Sequence, residues 1–160
     1  MVYSMIKIRR GLDLPISGAP TQAIHQGPRI SQLGVMGSDY QGMKPTMAVR
    51  VGDAVSQGQL LFTDKKNPGV KFTSPASGTV IAINRGERRV FQSIVIDIEG
   101  DAKESFPVTD SKSLPDLSRD NIVENLINSG QWTAFRTRPY SKIPAVDSIP
   151  TSIFVTATDT

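Results

Sequence analysis

Hydrophobic and polar residues alternate in short runs through the middle of the chain, from residue 47 to residue 98. Five such runs occur, at residues 47–51, 60–63, 70–73, 79–83 and 90–98. Turn-forming sequences rich in glycine, aspartate and proline separate them, and no helical periodicity competes with the alternation. Short alternating strands joined by turns at this spacing predict an antiparallel β-sandwich or β-barrel, so we expect a mainly β protein.

The turns between these strands follow a specific order. Gly52-Asp-Ala-Val55 is followed by Gly58-Gln59 and, after one hairpin, by Pro75-Ala-Ser-Gly78-Thr-Val80. Glycine supplies the positive φ that sharp corners require, and the hairpin between the two corners is exposed at its tip. This order resembles the biotinyl/lipoyl-carrier family. The resemblance implies a barrel-sandwich hybrid fold for this part of the chain.

The tip of that hairpin raises a functional question, because carrier proteins of this family attach biotin or lipoate to one tip lysine flanked by methionines. Here Lys65 and Lys66 lie at the tip, between Asp64 and Asn67. The attachment motif is therefore absent, and we expect a solvated turn. A carrier domain modified on Lys65 or Lys66 is the alternative.

After the last predicted strand the character of the sequence changes. Residues 104–116 are polar and contain two prolines, which predicts a linker. Ser118 then fits a helix N-cap, apolar residues follow at helical spacing from 122 to 127, and Gly130 fits the C′ position. A β-branched run at residues 151–157 predicts a buried strand.

A helix followed by a buried strand is how an α/β layer begins, and one such strand cannot bury both of its faces alone. We therefore expect the start of a second α/β domain, truncated at residue 160. The predicted organisation is an N-terminal loop plus the β-domain over residues 1–103, a linker over 104–116 and the incomplete α/β domain over 117–160.

Two groups of side chains are candidates for contact with a ligand or partner. The first is a basic cluster formed by Arg85, Arg88 and Arg89. We interpret this cluster as a solvated turn, with a partner contact as the alternative. The second group interleaves aromatic and basic residues and consists of Trp132, Phe135, Arg136, Arg138, Tyr140 and Lys142, of which the first four are the interaction candidates. This second group could hold an anionic or planar ligand, but we favour a loop anchored against a neighbouring domain.

Composition excludes several classes of function. The chain has no cysteine, so it forms no disulfide, thiolate nucleophile or cysteine-ligated metal site. Its net charge of +3 is small and its aromatic content is 6%, which argues against nucleic-acid binding. No apolar run approaches the roughly 20 residues of a membrane span. We expect no catalytic, cofactor-binding or metal-binding residue, and we interpret His25 as an ordinary surface or packing residue.

Longer segments carry a closer resemblance. They lie at residues 6–16, 42–47, 52–55, 64–69, 74–78, 85–93 and 129–139. In these segments the chain resembles the N-terminal part of the NqrA subunits of the bacterial sodium-translocating NADH:quinone reductase (Nqr).

The resemblance implies a peripheral subunit on the cytoplasmic side of the bacterial inner membrane, in a complex that oxidises NADH, reduces ubiquinone and exports sodium. It implies contact with other Nqr subunits, especially NqrB near the quinone-reducing end, and membrane association only through these partners. NADH, flavins, iron–sulfur centres and ubiquinone belong to other subunits or to shared sites. We therefore expect a structural or docking role and no catalysis by this fragment alone.

The second domain is also similar to the flavin-binding fold of the NADH-oxidising subunit of respiratory complex I. The stretch that matches its phosphate loop has one glycine, Gly130, and the bulky side chains of Trp132 and Phe135 would block close backbone approach. We therefore expect no flavin on this fragment. Two alternatives stay open at this point, a free-standing biotinyl/lipoyl-type carrier and a member of a related Rnf-type electron-transport complex.

Overall fold

The structure is a computed structural model and describes residues 17–19 and 21–155. These residues form seven β-strands and one α-helix. The strands are β1 (Gln32–Met36), β2 (Pro45–Met47), β3 (Ala54–Val55), β4 (Leu60–Asp64), β5 (Lys71–Thr73), β6 (Gly78–Arg85) and β7 (Phe91–Ile98). The helix α1 spans Arg119–Asn128, and single 3-10 turns lie at Gly37–Asp39, Glu87–Arg89, Leu114–Asp116 and Gln131–Ala134.

The strands form two sheets, with the orders β1-β7-β6-β3 and β2-β4-β5. Every pairing within these sheets is antiparallel. The predicted antiparallel sandwich is therefore confirmed.

The core lies between the two sheets. Ile94 and Ile96 of β7 are fully buried, as the alternation in the sequence predicts. From the other sheet, Phe62 and Phe72 stack at 4.5 Å between ring centroids. Phe91, the first residue of β7, lies 5.2 Å from Phe62 across the core. Aromatic pairs at these distances add to the stabilisation that comes from burial alone.

Two parts of the strand prediction need correction. The strand expected at residues 47–51 lies at Pro45–Met47 instead, and Val51 is exposed. The chain leaves the sheet early because the Asp53 carboxylate accepts a hydrogen bond from the backbone N–H of Arg50 at 2.8 Å, which closes a turn there. Strand β1, which pairs with β7, was not predicted.

The predicted helix is confirmed. The Ser118 hydroxyl oxygen accepts a hydrogen bond from the backbone N–H of Asn121 at 3.2 Å, and Gly130 has the left-handed φ of +78° that the C′ position favours. The apolar face of α1 packs on the β-sandwich through Val123, Leu126 and Ile127. No helix in the described ranges has the length and hydrophobicity of a membrane span.

The strand expected at residues 151–157 is not formed over 151–155, and Phe154 in that stretch is 89% exposed. Residues 156 and 157 lie outside the described residues. A strand needs a neighbour for its backbone hydrogen bonds, and no strand in the described part of the chain pairs with this segment.

Candidate functional site

The β4–β5 hairpin tip is held firmly by one carboxylate. Asp64 is only 8% exposed, and its Oδ1 accepts hydrogen bonds from the backbone N–H groups of Lys44 and Lys66, both at 2.9 Å. The backbone N–H of Lys65 donates to the carbonyl of Lys44 at 2.8 Å. The side chains of Lys65 and Lys66 are exposed, but the backbone beneath them is fixed to the start of β2.

A later segment of the chain, residues 143–146, covers the other side of this tip. The side-chain amide of Asn67 donates to the carbonyls of Ile143 and Pro144 at 3.3 and 3.0 Å. A Cβ added at Gly69 would lie 3.4 Å from the Val146 side chain. The backbone of the tip is therefore attached on this side to packed chain, while the side chains of Lys65 and Lys66 stay exposed.

Trp132 joins the covering segment to the core. Its side chain is 6% exposed, and its indole N–H donates to the carbonyl of Pro144 at 3.0 Å. The Phe135 ring meets it edge-on at 5.4 Å. Trp132 is thus part of the β-sandwich core, which agrees with the anchored-loop interpretation of the aromatic and basic segment.

The two arginines of that segment have different surroundings. The Arg136 guanidinium lies 5.7 Å from the centre of the Tyr40 ring and donates to the carbonyls of Thr133 and Phe135. Arg138 is exposed. Contact of Phe135, Arg136 or Arg138 with a ligand or partner stays a prediction.

Tyr40 lies where the loop between β1 and β2 crosses the core. Its ring is half-buried and packs edge-on against Phe72 at 4.8 Å. Burial raises the pKa of Tyr40 above the ordinary 10.0, the Asp39 carboxylate raises it further, and the Arg136 guanidinium opposes both. The phenol therefore stays protonated and neutral at physiological pH.

A cavity of about 430 Å³ lies between the β-sandwich and the residues that follow α1. Its lining includes Tyr40, Phe72, Phe106, Gly130 and Gln131. Both polar and apolar side chains line the cavity. None of the candidate binding residues from the sequence lies among them.

A second concave surface, which we name the basic cleft, has a volume of about 570 Å³. Its basic lining consists of Lys44, Lys66, Arg85, Arg88 and Arg89. The fold thus brings one tip lysine together with the arginine cluster, two features that the sequence presented separately. Lys44 was missed, because nothing in the sequence signals that the start of β2 lies beside the β6–β7 hairpin.

Comparison with known proteins settles the family. Residues 6–99 match the family model described as the NqrA N-terminal barrel-sandwich hybrid domain. The chain belongs to the NqrA family. Residues 117–160 match the model of the NqrA second alpha/beta domain. Both the barrel-sandwich hybrid and the start of an α/β domain are therefore confirmed, and the family is Nqr rather than the Rnf type.

Curated relatives agree with this assignment. The chain is 66% identical over 155 residues to the NqrA subunit of the Na(+)-translocating NADH-quinone reductase of Hahella chejuensis, with 97% of this chain covered. The corresponding proteins of Saccharophagus degradans and Marinomonas sp. are 64% and 59% identical over 156 residues, with 98% of this chain covered. In each case the chain spans 35% of the relative's length, and it matches the N-terminal domain of the family.

Proposed function

We propose that this chain is the N-terminal part of a peripheral subunit of a sodium-translocating NADH:quinone reductase, where it serves as a structural and docking module near the quinone-reducing end. Its partners would be the other Nqr subunits, especially NqrB. NADH, flavins and iron–sulfur centres would be bound elsewhere, and ubiquinone would be reduced at a site shared in the intact complex. Membrane association, on the cytoplasmic side of the inner membrane, would be through these partners.

The anchored backbone of the hairpin tip is the observation that favours docking over cofactor carriage. Asp64 fixes the tip from below, and Asn67 fixes it to the carbonyls of residues 143 and 144. A carrier domain must bring its modified lysine to other sites, whereas the contacts of Asn67 and Gly69 with residues 143–146 attach one side of this tip to the rest of the chain. A rigid surface suits docking, since less conformational entropy is lost when a preorganised surface binds.

The same contacts bear on the organisation of the chain. We propose the division into residues 1–103, 104–116 and 117–160. The segment after α1 packs on the β-sandwich through Trp132, so the two units present one joint surface to a partner.

The test of this function uses the intact complex with Lys65→Arg and Lys66→Arg combined. Arginine keeps both charges but offers no amine that forms the amide to biotin or lipoate. We expect unchanged NADH:quinone reductase activity and an intact mass of the wild-type subunit without a biotinyl or lipoyl addition. The proposal is contradicted if the variant loses activity and the mass of the wild-type subunit includes a biotinyl or lipoyl group.

A second measurement tests the position of the subunit. A complex depleted of the full-length subunit should lose quinone reduction but keep NADH oxidation with an artificial electron acceptor. Adding the purified full-length subunit back should restore quinone reduction. If the depleted complex reduces quinone at the original rate, a role near the quinone end is wrong.

A further inference from the structure

The β6–β7 hairpin ends in an unusual turn. The backbone N–H of Val90 donates to the carbonyl of Glu87 at 3.1 Å, and the two residues between them, Arg88 and Arg89, have φ values of +53° and +62°. Two successive left-handed residues make the type I′ geometry, for which Asn-Gly is strongly preferred. Arginine carries a Cβ that this geometry disfavours. The turn alone therefore does not explain why two arginines are placed here.

The location of these arginines suggests a reason. Both line the basic cleft, together with Lys44, Lys66 and Arg85. Residues in sparsely populated backbone conformations cluster at functional positions, because the surroundings must hold them there. We therefore interpret Arg88 and Arg89, which are strained and lie at the rim of the basic cleft, as residues whose positive charge has a function.

Little within the described residues neutralises this charge. Arg88 is 3.9 Å from the carboxylate of Glu87, but the two side chains are 90% and 92% exposed, so this pair is weak. The Asp64 carboxylate is occupied by two backbone N–H groups. Asp39 lies between the cleft-lining residues Ser38 and Tyr40, but among the described residues it forms no ion pair with the cations of the cleft. Within the described part of the chain, Arg85 donates one side-chain hydrogen bond, to the carbonyl of Arg89 at 3.5 Å.

We propose that the basic cleft docks an acidic segment of a neighbouring Nqr subunit. This inference rests on the docking function proposed above and names its contact point. Guanidinium groups bind carboxylates with paired, charge-assisted hydrogen bonds. The cleft is concave, which suits an inserted chain segment better than a flat bilayer surface, and Val90 at its rim is 62% exposed and available for apolar contact. Arginine with a central apolar contact is typical of protein interfaces.

The turn itself provides a sharp test. In the full-length subunit, Arg88→Asn combined with Arg89→Gly installs the residues that the turn prefers and removes two charges of the cleft. We expect the midpoint of thermal unfolding to rise, while the affinity for a complex depleted of the subunit falls about tenfold at low salt, with a weaker salt dependence. If the variant subunit is more stable than the wild type, its weaker binding cannot be the result of damaged folding.

Two further variants serve as controls. Arg29→Gln with Lys112→Gln removes the same charge from exposed positions outside the cleft and should leave affinity and salt dependence unchanged. Arg88→Lys with Arg89→Lys keeps the charge but loses the paired donors of the guanidinium, and its affinity should lie between that of the wild type and that of Arg88→Asn with Arg89→Gly. Equal weakening by the first control would show that net charge, and not the cleft, drives association, and would overturn the proposal.

Other results also overturn it. If Arg88→Asn with Arg89→Gly leaves the affinity for the depleted complex unchanged, the cleft is not the docking point. If that variant instead loses binding to phosphatidylglycerol vesicles that the wild-type subunit binds, while neither binds phosphatidylcholine vesicles, the cleft serves a lipid surface. In either case, restoration of quinone reduction by the wild-type subunit would still support the docking function. If the wild-type subunit does not rebind the depleted complex, both the docking function and the cleft as its contact point are wrong.

Discussion

Trp132 and Asn67 donate hydrogen bonds to the same acceptor, the carbonyl oxygen of Pro144, each at 3.0 Å. One oxygen therefore ties together the β4–β5 hairpin tip, the turn that follows α1 and the segment that covers the tip. A carbonyl has two lone pairs and can serve both donors at once. This shared bond makes the tip part of a joint rigid surface.

The shared acceptor predicts energetic coupling between the two donors. Trp132→Phe and Asn67→Ala should each lower the free energy of unfolding by about 1 to 2 kcal/mol, because each removes one donor and the Pro144 carbonyl keeps the other. The cost of Asn67→Ala also includes the weaker bond to the Ile143 carbonyl. The double variant leaves the carbonyl without either and should cost about 0.5 to 1 kcal/mol more than the sum. Urea unfolding followed by circular dichroism measures all four members of the cycle.

A distant pair provides the control for this cycle. Asn84 donates to the Ser93 hydroxyl at 3.0 Å on the other sheet and, among residues 17–19 and 21–155, shares no hydrogen-bond partner with Trp132. Trp132→Phe combined with Asn84→Ala should therefore be additive. Additivity of the Trp132 and Asn67 changes would show that the common carbonyl does not couple them.

Asp64 should matter more for stability than its position in a surface hairpin suggests. Asp64→Ala leaves the backbone N–H groups of Lys44 and Lys66 without an acceptor, and we expect a loss of about 1 to 3 kcal/mol in the free energy of unfolding. Asp64→Asn keeps one acceptor oxygen and should recover part of the loss. Amide hydrogen exchange should rise at residues 44 and 66, and unchanged protection at both would contradict the two hydrogen bonds to the Asp64 carboxylate.

A comparison with an exposed carboxylate isolates the effect of burial. Asp53 accepts one backbone hydrogen bond from Arg50 at 2.8 Å in an exposed turn. Water can replace that bond, so Asp53→Ala should cost less than Asp64→Ala in the same unfolding experiment.

The sequence predicted best the elements whose side chains alternate clearly. Ile94 and Ile96 mark one face of β7, and Ser118 with Gly130 brackets α1, because these local signals act through the backbone of the same segment. Strand β1 was missed because it directs only Leu33 and Val35 inward, with Gly34 between them, and it gains its place by pairing with β7. Such an edge strand depends on tertiary pairing rather than on its own pattern.

The candidate surface was predicted only in pieces. Lys66 and Arg88 were each singled out, but they come from hairpins of different sheets and meet only through the packing of those sheets. Asn67 was noted only for its departure from the carrier motif, since its partners at residues 143 and 144 lie far along the chain. Contacts between distant segments leave no periodic signal in a single sequence.

Gly130 should tolerate no side chain. Its φ of +78° is left-handed, and an added Cβ would fall on the Thr73 hydroxyl and lie 3.1 Å from the Thr73 Cβ. Thr73 cannot rotate away without losing the hydrogen bond it donates to the Ser129 carbonyl at 3.2 Å. We expect Gly130→Ala to lower the free energy of unfolding by about 2 to 4 kcal/mol.

Gly100 separates the steric part of this effect from the backbone part. Its φ of +70° is similar, but no atom of the described residues lies within 4 Å of an added Cβ. Gly100→Ala should therefore cost only the conformational strain, about 1 kcal/mol. Equal costs for the two substitutions in urea unfolding would mean that the contact with Thr73 is unimportant.

Tyr40 should make stability fall at alkaline pH. Its folded-state pKa is raised above 10.0, chiefly by burial, so the folded chain holds the phenol proton at pH values where the unfolded chain has lost it. The resulting contribution to stability is fully present below about pH 10 and is lost as the pH rises through the folded-state pKa. Tyr40→Phe has no proton to lose, and its free energy of unfolding should decline less steeply than that of the wild type above about pH 10.

Phenolate absorbance of the folded protein checks the cause, because Asp39→Asn should lower the pKa of Tyr40 whereas Arg136→Gln should raise it. Parallel stability curves for the wild type and Tyr40→Phe would show that this phenol does not contribute to the alkaline loss of stability.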